Sequence, residues 1–210
     1  MEHAVAPMRS AYGDSQLHCF SFGAHEEENV LCVAVDGYLT SRLVRVQSAC
    51  YTAEIFRSVD CDCHEQLDQS LQRVHDQGGV VVYMLADGRG AGLLTKIRGL
   101  SLNASRGLDT FDAYRELGVE PDPRDYTRIA AVLERLGLHE VKLLTNNPRK
   151  VEGLRRHGLV VDRVPLEIPP TTESLPYLAT KRQKFGHLLE LVPGASEREG
   201  VDSPSPEVRD

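Results

Sequence analysis

The chain has 210 residues, 26% of them charged, and a formal net charge of -7, which fits one domain with a proper core. That mildly acidic balance excludes a general nucleic-acid binder, which would carry a basic stripe. It leaves room for a nucleotide, because a few local cations suffice to hold phosphates.

The first fifteen residues lack apolar periodicity and read as a flexible arm (1–15), followed by a single domain over 16–192. Leu17 to Phe22, Val30 to Val35 and Leu43 to Val46 read as strands, giving an early β portion of antiparallel character. From Glu65 the spacing turns helical, with Leu67, Leu71 and Val74 on one face and Gly78-Gly79 as the stop. Val80 to Leu85 (VVVYML) is a continuous apolar run, as expected of a strand covered on both faces. Asp87-Gly88-Arg89-Gly90-Ala91-Gly92 then leads into a helix carrying Leu93, Leu94 and Ile97. Two readings of that turn stand: a phosphate cradle of converging N–H groups, or a tight connection that needs glycine for positive φ.

Further helices are expected over Leu108 to Leu117, Arg124 to Leu136 and Leu178 to Leu191, and strands over Val141 to Leu144 and Val160 to Val164. Asn147 and Pro148 have the residue types of an N-cap and a first helical position. Strands alternating with helices between residues 65 and 164 indicate an α/β core. From residue 193 the composition turns polar and proline-spaced, the signature of a disordered tail (193–210). No charged-then-apolar leader opens the chain and no run reaches bilayer length, so the expectation is a cytoplasmic protein without a membrane partner.

Arg45 to Gln66 (RVQSACYTAEIFRSVDCDCHEQ) carries the densest chemistry, with Cys50, Cys61 and Cys63 in a C-x10-C-x-C spacing. Three thiolates leave a zinc ion one open position for a reactive water, as catalytic zinc requires. The alternatives are a structural zinc completed by a distant histidine, or three ordinary buried thiols. His64 follows Cys63 directly and would have to fold back to reach the same ion, so it stays outside the ligand set. Cys19 and Cys32 lie in apolar surroundings and read as buried spectators.

RVQSACYTAEIFRSVDCDCHEQL resembles the zinc segment of GTP cyclohydrolase II, the enzyme that opens the guanine imidazole ring at the start of riboflavin synthesis. The resemblance continues through DGRGAGLLTKIRGLSL, LDTFDAYRELG, DPRDYT, LLTNNPRKVEGL and ATKRQKFGHLL, and covers about Leu43 to Leu189 in the family's order. It implies a mixed β-sheet flanked by helices within the α/β class, one zinc ion on Cys50, Cys61 and Cys63, and magnesium on the substrate triphosphate. It implies nucleotide contacts at Arg45, Val46, Gln47, Ser48, Ala49, Gln66, Asp87, Gly88, Arg89, Thr110, Thr145 and Lys150. By the same resemblance Arg124 attacks the α-phosphorus and releases pyrophosphate, with Asp122 as its base. Read without the family, Asp122-Pro123-Arg124 is a turn with a surface ion pair. Family members are commonly homodimers. A bifunctional riboflavin enzyme would need about 200 more residues, roughly one further domain.

The sequence departs from the family inside the implied site. Gln47 and Ala49 replace a histidine and a glutamate. Leu85-Ala86-Asp87 replaces an Arg-Gln-Glu run, shortening the expected base-recognising carboxylate by about 1.5 Å. Leu100 stands where the family carries a tyrosine associated with the second hydrolysis, the loss of C8 as formate, and leucine cannot relay a proton. The expected product is therefore either the deformylated diaminopyrimidine or its formamide. Two alternatives accompany it: a related purine-nucleotide hydrolase of specialised metabolism, and a catalytically silent, zinc-stabilised nucleotide binder.

Overall fold

The computed structural model describes residues 1–193 and begins with a hairpin. β1 (Glu2–Ser10) pairs along its whole length with β2 (Gly13–Ser21), Glu2 opposite Ser21 and Ser10 opposite Gly13, across the two residues Ala11 and Tyr12. The first fifteen residues are thus a sheet edge and not a flexible arm. The reason they escaped the sequence reading is physical: β1 is exposed along most of its length, so no buried face imprints a two-residue alternation. Pro7 is tolerated there because an edge strand has ladder positions facing solvent. The expected tail lies, from Gly194 onward, outside the described residues.

β3 (Val30–Val35) continues the antiparallel run, and a one-turn helix α1 (Tyr38–Ser41) leads into β4 (Leu43–Ser48). After α2 (Tyr51–Glu54) comes α3 (Cys63–Gln77), which returns the chain to β5 (Gly79–Met84). There follow α4 (Leu93–Arg106), α5 (Thr110–Glu116), α6 (Thr127–Arg135), β6 (Glu140–Leu144), α7 (Pro148–Arg156), β7 (Val160–Val164) and α8 (Leu175–Phe185). The seven strands form one mixed sheet in the order β1-β2-β3-β5-β4-β6-β7. β5 is antiparallel to β3 and parallel to β4, and β4, β6 and β7 are mutually parallel neighbours.

The apolar run of β5 does sit between two layers. Val80 and Val82 join a core with Val44, Val46, Ile129, Leu133, Val151 and Leu154, under α6 and α7. Val81 points the other way, to Leu43, Val74 and Leu144 under α3. From β4 the chain crosses by α3 to β5 on one side, then by α6 to β6 on the other. The loops leaving β4 and β6 therefore diverge, and open α/β sheets place their ligand crevice at such a point, beyond the carboxyl ends of the strands.

α6 begins three residues later than the spacing suggested, leaving Arg124 in the preceding loop; Asp125 Oδ1 accepts from Thr127 N at 3.0 Å and marks the start. α8 starts at Leu175 and stops at Phe185, where Gly186 takes φ +68°. Asn147 caps α7 by accepting from Arg149 N at 2.9 Å, with Pro148 in its first turn, as its residue types indicated.

Candidate active site

A cleft opens beyond the carboxyl ends of β4, β5 and β6. The end of β4 and the segment after it bring Ser48, Ala49 and Cys50 to it, the segment after β5 brings Asp87, Gly88 and Arg89, and the one after β6 brings Thr145 and Lys150. Arg45, Gln47, Gln66, Thr110 and Arg124 complete the expected residues on its wall. Val46 is not on the wall: its side chain is core, and its carbonyl accepts from Lys150 Nζ at 2.6 Å.

At one end the sulfurs of Cys50, Cys61 and Cys63 lie within 4.8 Å of one another, with Cys50 and Cys61 3.8 Å apart. Sulfurs around a tetrahedral zinc with bonds of about 2.3 Å stand about 3.8 Å apart, so the trio fits that ion. The protonation pattern agrees. Hydrogen bonds from Cys61 and Cys63 hold the Cys50 thiol far below its ordinary range. Cys61 is pushed up to about 11 by the Cys50 sulfur it faces, and Cys63 is raised for the same reason. Sulfurs that otherwise share protons are a donor set that a divalent cation would take over. His64, next to Cys63 in sequence, has its ring against Arg57 Nη1.

Around the trio runs a chain of polar contacts. Arg45, 4% exposed, donates to Gln47 Oε1, to Gln66 Oε1 at 2.6 Å and to the Leu144 carbonyl at 3.0 Å; burial pushes its pKa down to about 10. Gln47 Nε2 donates in turn to Glu54 Oε1 at 2.7 Å. On the far side Gln66 Nε2 donates to Asp62, which also accepts from Lys181 Nζ at 2.8 Å. Burial opposes the Lys181 charge, but Asp62 more than offsets it and the ammonium is held above its ordinary range.

Also on the wall, Arg124 forms a bidentate pair with Asp122, Nε to Oδ1 and Nη2 to Oδ2, both 2.6 Å. Their side chains are 9% and 3% exposed, so this is a built-in pair and not a turn at the surface. Arg124 Nη1 donates to Ser48 Oγ at 3.3 Å. The glycine turn serves this arginine: Gly90, at φ +89°, packs where a Cβ would stand 3.4 Å from Arg124 Cγ. Lys150 lies nearby, its ammonium disfavoured by burial and by Arg45 and Arg124, and held well below its ordinary pKa. Two buried donors on this wall, Asn147 Nδ2 and Arg89 Nη1, have no acceptor among the described residues.

Several wall residues were missed by sequence reasoning: Tyr114, Asn146, Asn147, Tyr177, Lys181 and His187. Tyr177 and Lys181 had a findable signal, since they stand one helical turn apart on α8, and Lys181 Nζ lies 4.5 Å from the Tyr177 ring centre. Lys96, which donates to Cys50 Sγ at 3.2 Å and to Asp87 Oδ1 at 2.9 Å, had none beyond its place in the glycine-turn motif.

A thiol cluster beside a cation-lined cleft, at the carboxyl ends of parallel strands, defines an α/β protein suited to a metal and an anionic ligand. Comparison with known proteins narrows the class. A profile described as GTP cyclohydrolase II matches residues 2–165. The chain is 42% identical over 196 residues to a GTP cyclohydrolase-2 of Streptomyces coelicolor, covering 91% of this chain and 87% of that one. It is 41% identical over 186 residues to the riboflavin biosynthesis protein RibBA of Endomicrobium trichonymphae, covering 86% of this chain and 45% of that one. Against RibBA of Bacillus cytotoxicus it is 48% identical over 151 residues, 71% of this chain and 38% of that one. The chain thus spans about half the length, or less, of these RibBA relatives. It belongs to the GTP cyclohydrolase II family, a family of hydrolases.

Proposed function

We propose that this chain opens the imidazole ring of GTP by hydrolysis and releases pyrophosphate, in riboflavin biosynthesis or a pathway that draws on the same intermediate. The observation that carries the reading is the sharing of one cleft by the thiol trio, represented on its wall by Cys50 and Cys63, and by Arg124 and Lys150. A purine nucleotide needs both ends at once, a hydrolytic centre at its base and cations at its phosphates.

Cys50, Cys61 and Cys63 would hold the zinc, which when bound supplies an acidified water as the nucleophile for C8. The chain's own residues do the rest. Arg45, Gln47, Gln66 and Asp62 tie the cysteine segment to β6 and α8, and fix the base end of the cleft. Thr145, Lys150 and the unsatisfied amide of Asn147 face the triphosphate, where the N-terminus of α7 also favours an anion. Arg124 is the attacking group at the α-phosphorus, and Asp122, in contact with two of its nitrogens, takes its proton. Magnesium on the substrate's triphosphate would supply charge neutralisation for the pyrophosphate leaving group.

Leu100 sets how far the reaction goes. It lies on α4, 42% exposed, and brings no hydroxyl to the second hydrolysis, so the chain's own product is the ring-opened formamide, and a route from it to riboflavin needs a separate deformylation. α4 also exposes Leu94 (64%) and Ile97 (46%), an apolar face consistent with a homodimer. No helix among the described residues is long and apolar enough to cross a membrane, and all five cysteines are unpaired, in keeping with a cytoplasmic setting.

Incubation of zinc-loaded protein with GTP and magnesium tests the reading. Pyrophosphate together with a ring-opened pyrimidine is expected. Bound GTP without any pyrophosphate would make the protein a silent binder and end the proposal.

A further inference from the structure

Three thiolates around a divalent ion leave a net charge of about -1, which weakens the ion's pull on a bound water. A hydrogen bond donated to one of the sulfurs would restore part of that pull. Arg45 and Arg57 are nearest in sequence, but neither donates to a cluster sulfur among the described residues. Arg45 spends its guanidinium on Gln47, Gln66 and the Leu144 carbonyl, and Arg57 lies against His64. The cation in hydrogen-bond contact with a cluster sulfur is Lys96, whose Nζ stands 3.2 Å from Cys50 Sγ.

Its placement goes against local preference. Lys96 is in the first turn of α4, where the helix macrodipole disfavours a positive charge. Its side chain is 14% exposed, so little water compensates. What holds it is Asp87, whose side chain is 2% exposed and whose two oxygens lie 2.9 and 3.2 Å from Nζ. The same carboxylate accepts from Tyr51 N at 2.9 Å and from Gly88 N. An ionised carboxylate offers about four acceptor positions. Two backbone amides and the ammonium fill those of Asp87, leaving none for a base.

We infer that Lys96 is a positioning residue that lowers the donor strength of the Cys50 sulfur by donating a hydrogen bond to it, and that Asp87 anchors this ammonium and does not read the substrate's base. The inference rests on the proposed metal site and goes beyond it in assigning two residues outside the ligand set. Tyr51 follows Cys50 directly, so Asp87 grips the cysteine's own turn through the Tyr51 amide and its sulfur through Lys96. The carboxylate, the ammonium and the thiolate form one unit, and a hydrogen bond to a metal-bound sulfur lowers its donor strength.

The test uses the full chain loaded with cobalt(II), whose sulfur-to-metal charge-transfer band reports the donor strength of the thiolates. Lys96→Met is expected to move the band to lower energy and to lower GTP turnover about 10- to 100-fold. Lys96→Arg, which keeps charge and donors, is expected to bring the band back toward wild type, and Asp87→Asn to shift it in the Lys96→Met direction by less. A residue that merely packs would leave the band unmoved. An unchanged band in Lys96→Met with the intensity of three bound thiolates overturns the inference, as does failure of both lysine variants to take up cobalt. Wild-type protein that binds cobalt and zinc but leaves GTP intact refutes the proposed function instead, and leaves the band comparison standing.

Discussion

Arg124 grips Asp122 with two guanidinium nitrogens at 2.6 Å each, in a pair almost closed to solvent. Burial alone would raise the carboxyl's pKa. The Arg124 hydrogen bonds and charge more than offset it and hold Asp122 below its ordinary value. Asp122→Asn is expected to reduce pyrophosphate release by about 10²- to 10⁴-fold, the range of general-base contributions, with metal content unchanged. Loss of metal together with activity would point to a structural role.

The same pair sets a pH dependence. A carboxyl whose folded pKa is depressed adds stability that is fully present above its unfolded value and disappears as pH falls through the folded one. Wild-type Tm should therefore drop as pH falls below about 4, the ordinary range of aspartate, and Asp122→Asn should flatten that drop. Parallel curves for the two proteins in thermal melts across this range would contradict the assignment.

Restoring the family's residue at position 100 tests the product. Leu100→Tyr replaces a half-exposed leucine, so the fold should tolerate it. Formate release measured alongside pyrophosphate should rise toward one per turnover in the variant and stay well below that in wild type. Equal formate from both proteins removes Leu100 from the account.

Asp87 gives a prediction about specificity. A site that hydrogen-bonds a substrate group rejects analogues lacking it by large factors. If Asp87 held the guanine amino group, Asp87→Asn would alter the preference for GTP over inosine triphosphate, which lacks that group. With its oxygens occupied by Lys96, Tyr51 and Gly88, the ratio of kcat/KM for the two nucleotides should stay the same while both fall together.

Gly153, inside α7, has no room for a side chain: a Cβ there would run into the Tyr126 ring. Tyr126 is buried and follows the Asp122–Arg124 loop by two residues. Gly153→Ala improves helix propensity yet should destabilise the protein by about 1–3 kcal/mol, the usual range for overpacking. A Tm equal to or above wild type would mean that the ring moves aside freely.

Much of this was readable from residue types because local rules and tertiary demands agree. Val80 to Leu85 read as a strand covered on both faces, and Val80 and Val81 do join different cores. Asn147 and Pro148 announced their helix start, and the cysteine spacing announced the trio. What stayed hidden depends on contacts distant in sequence. β1 buries no face, so its partner β2 and not its own pattern makes it a strand. Lys181 reaches Asp62 across 119 positions, and no local spacing encodes that. Lys96 carries no local signal either, and the fold alone places a sulfur beside it.

If three sulfur donors make the hydrolytic centre, Cys61→Ser should remove it. Turnover of GTP, measured as pyrophosphate and ring-opened product with zinc content determined in the same samples, is the measurement. Wild type is expected to hold stoichiometric zinc and give steady product, and the variant to lose bound zinc together with ring opening. A Cys61→Ser protein that opens GTP at the wild-type rate, or a wild type fully active without bound metal, would contradict a three-sulfur centre.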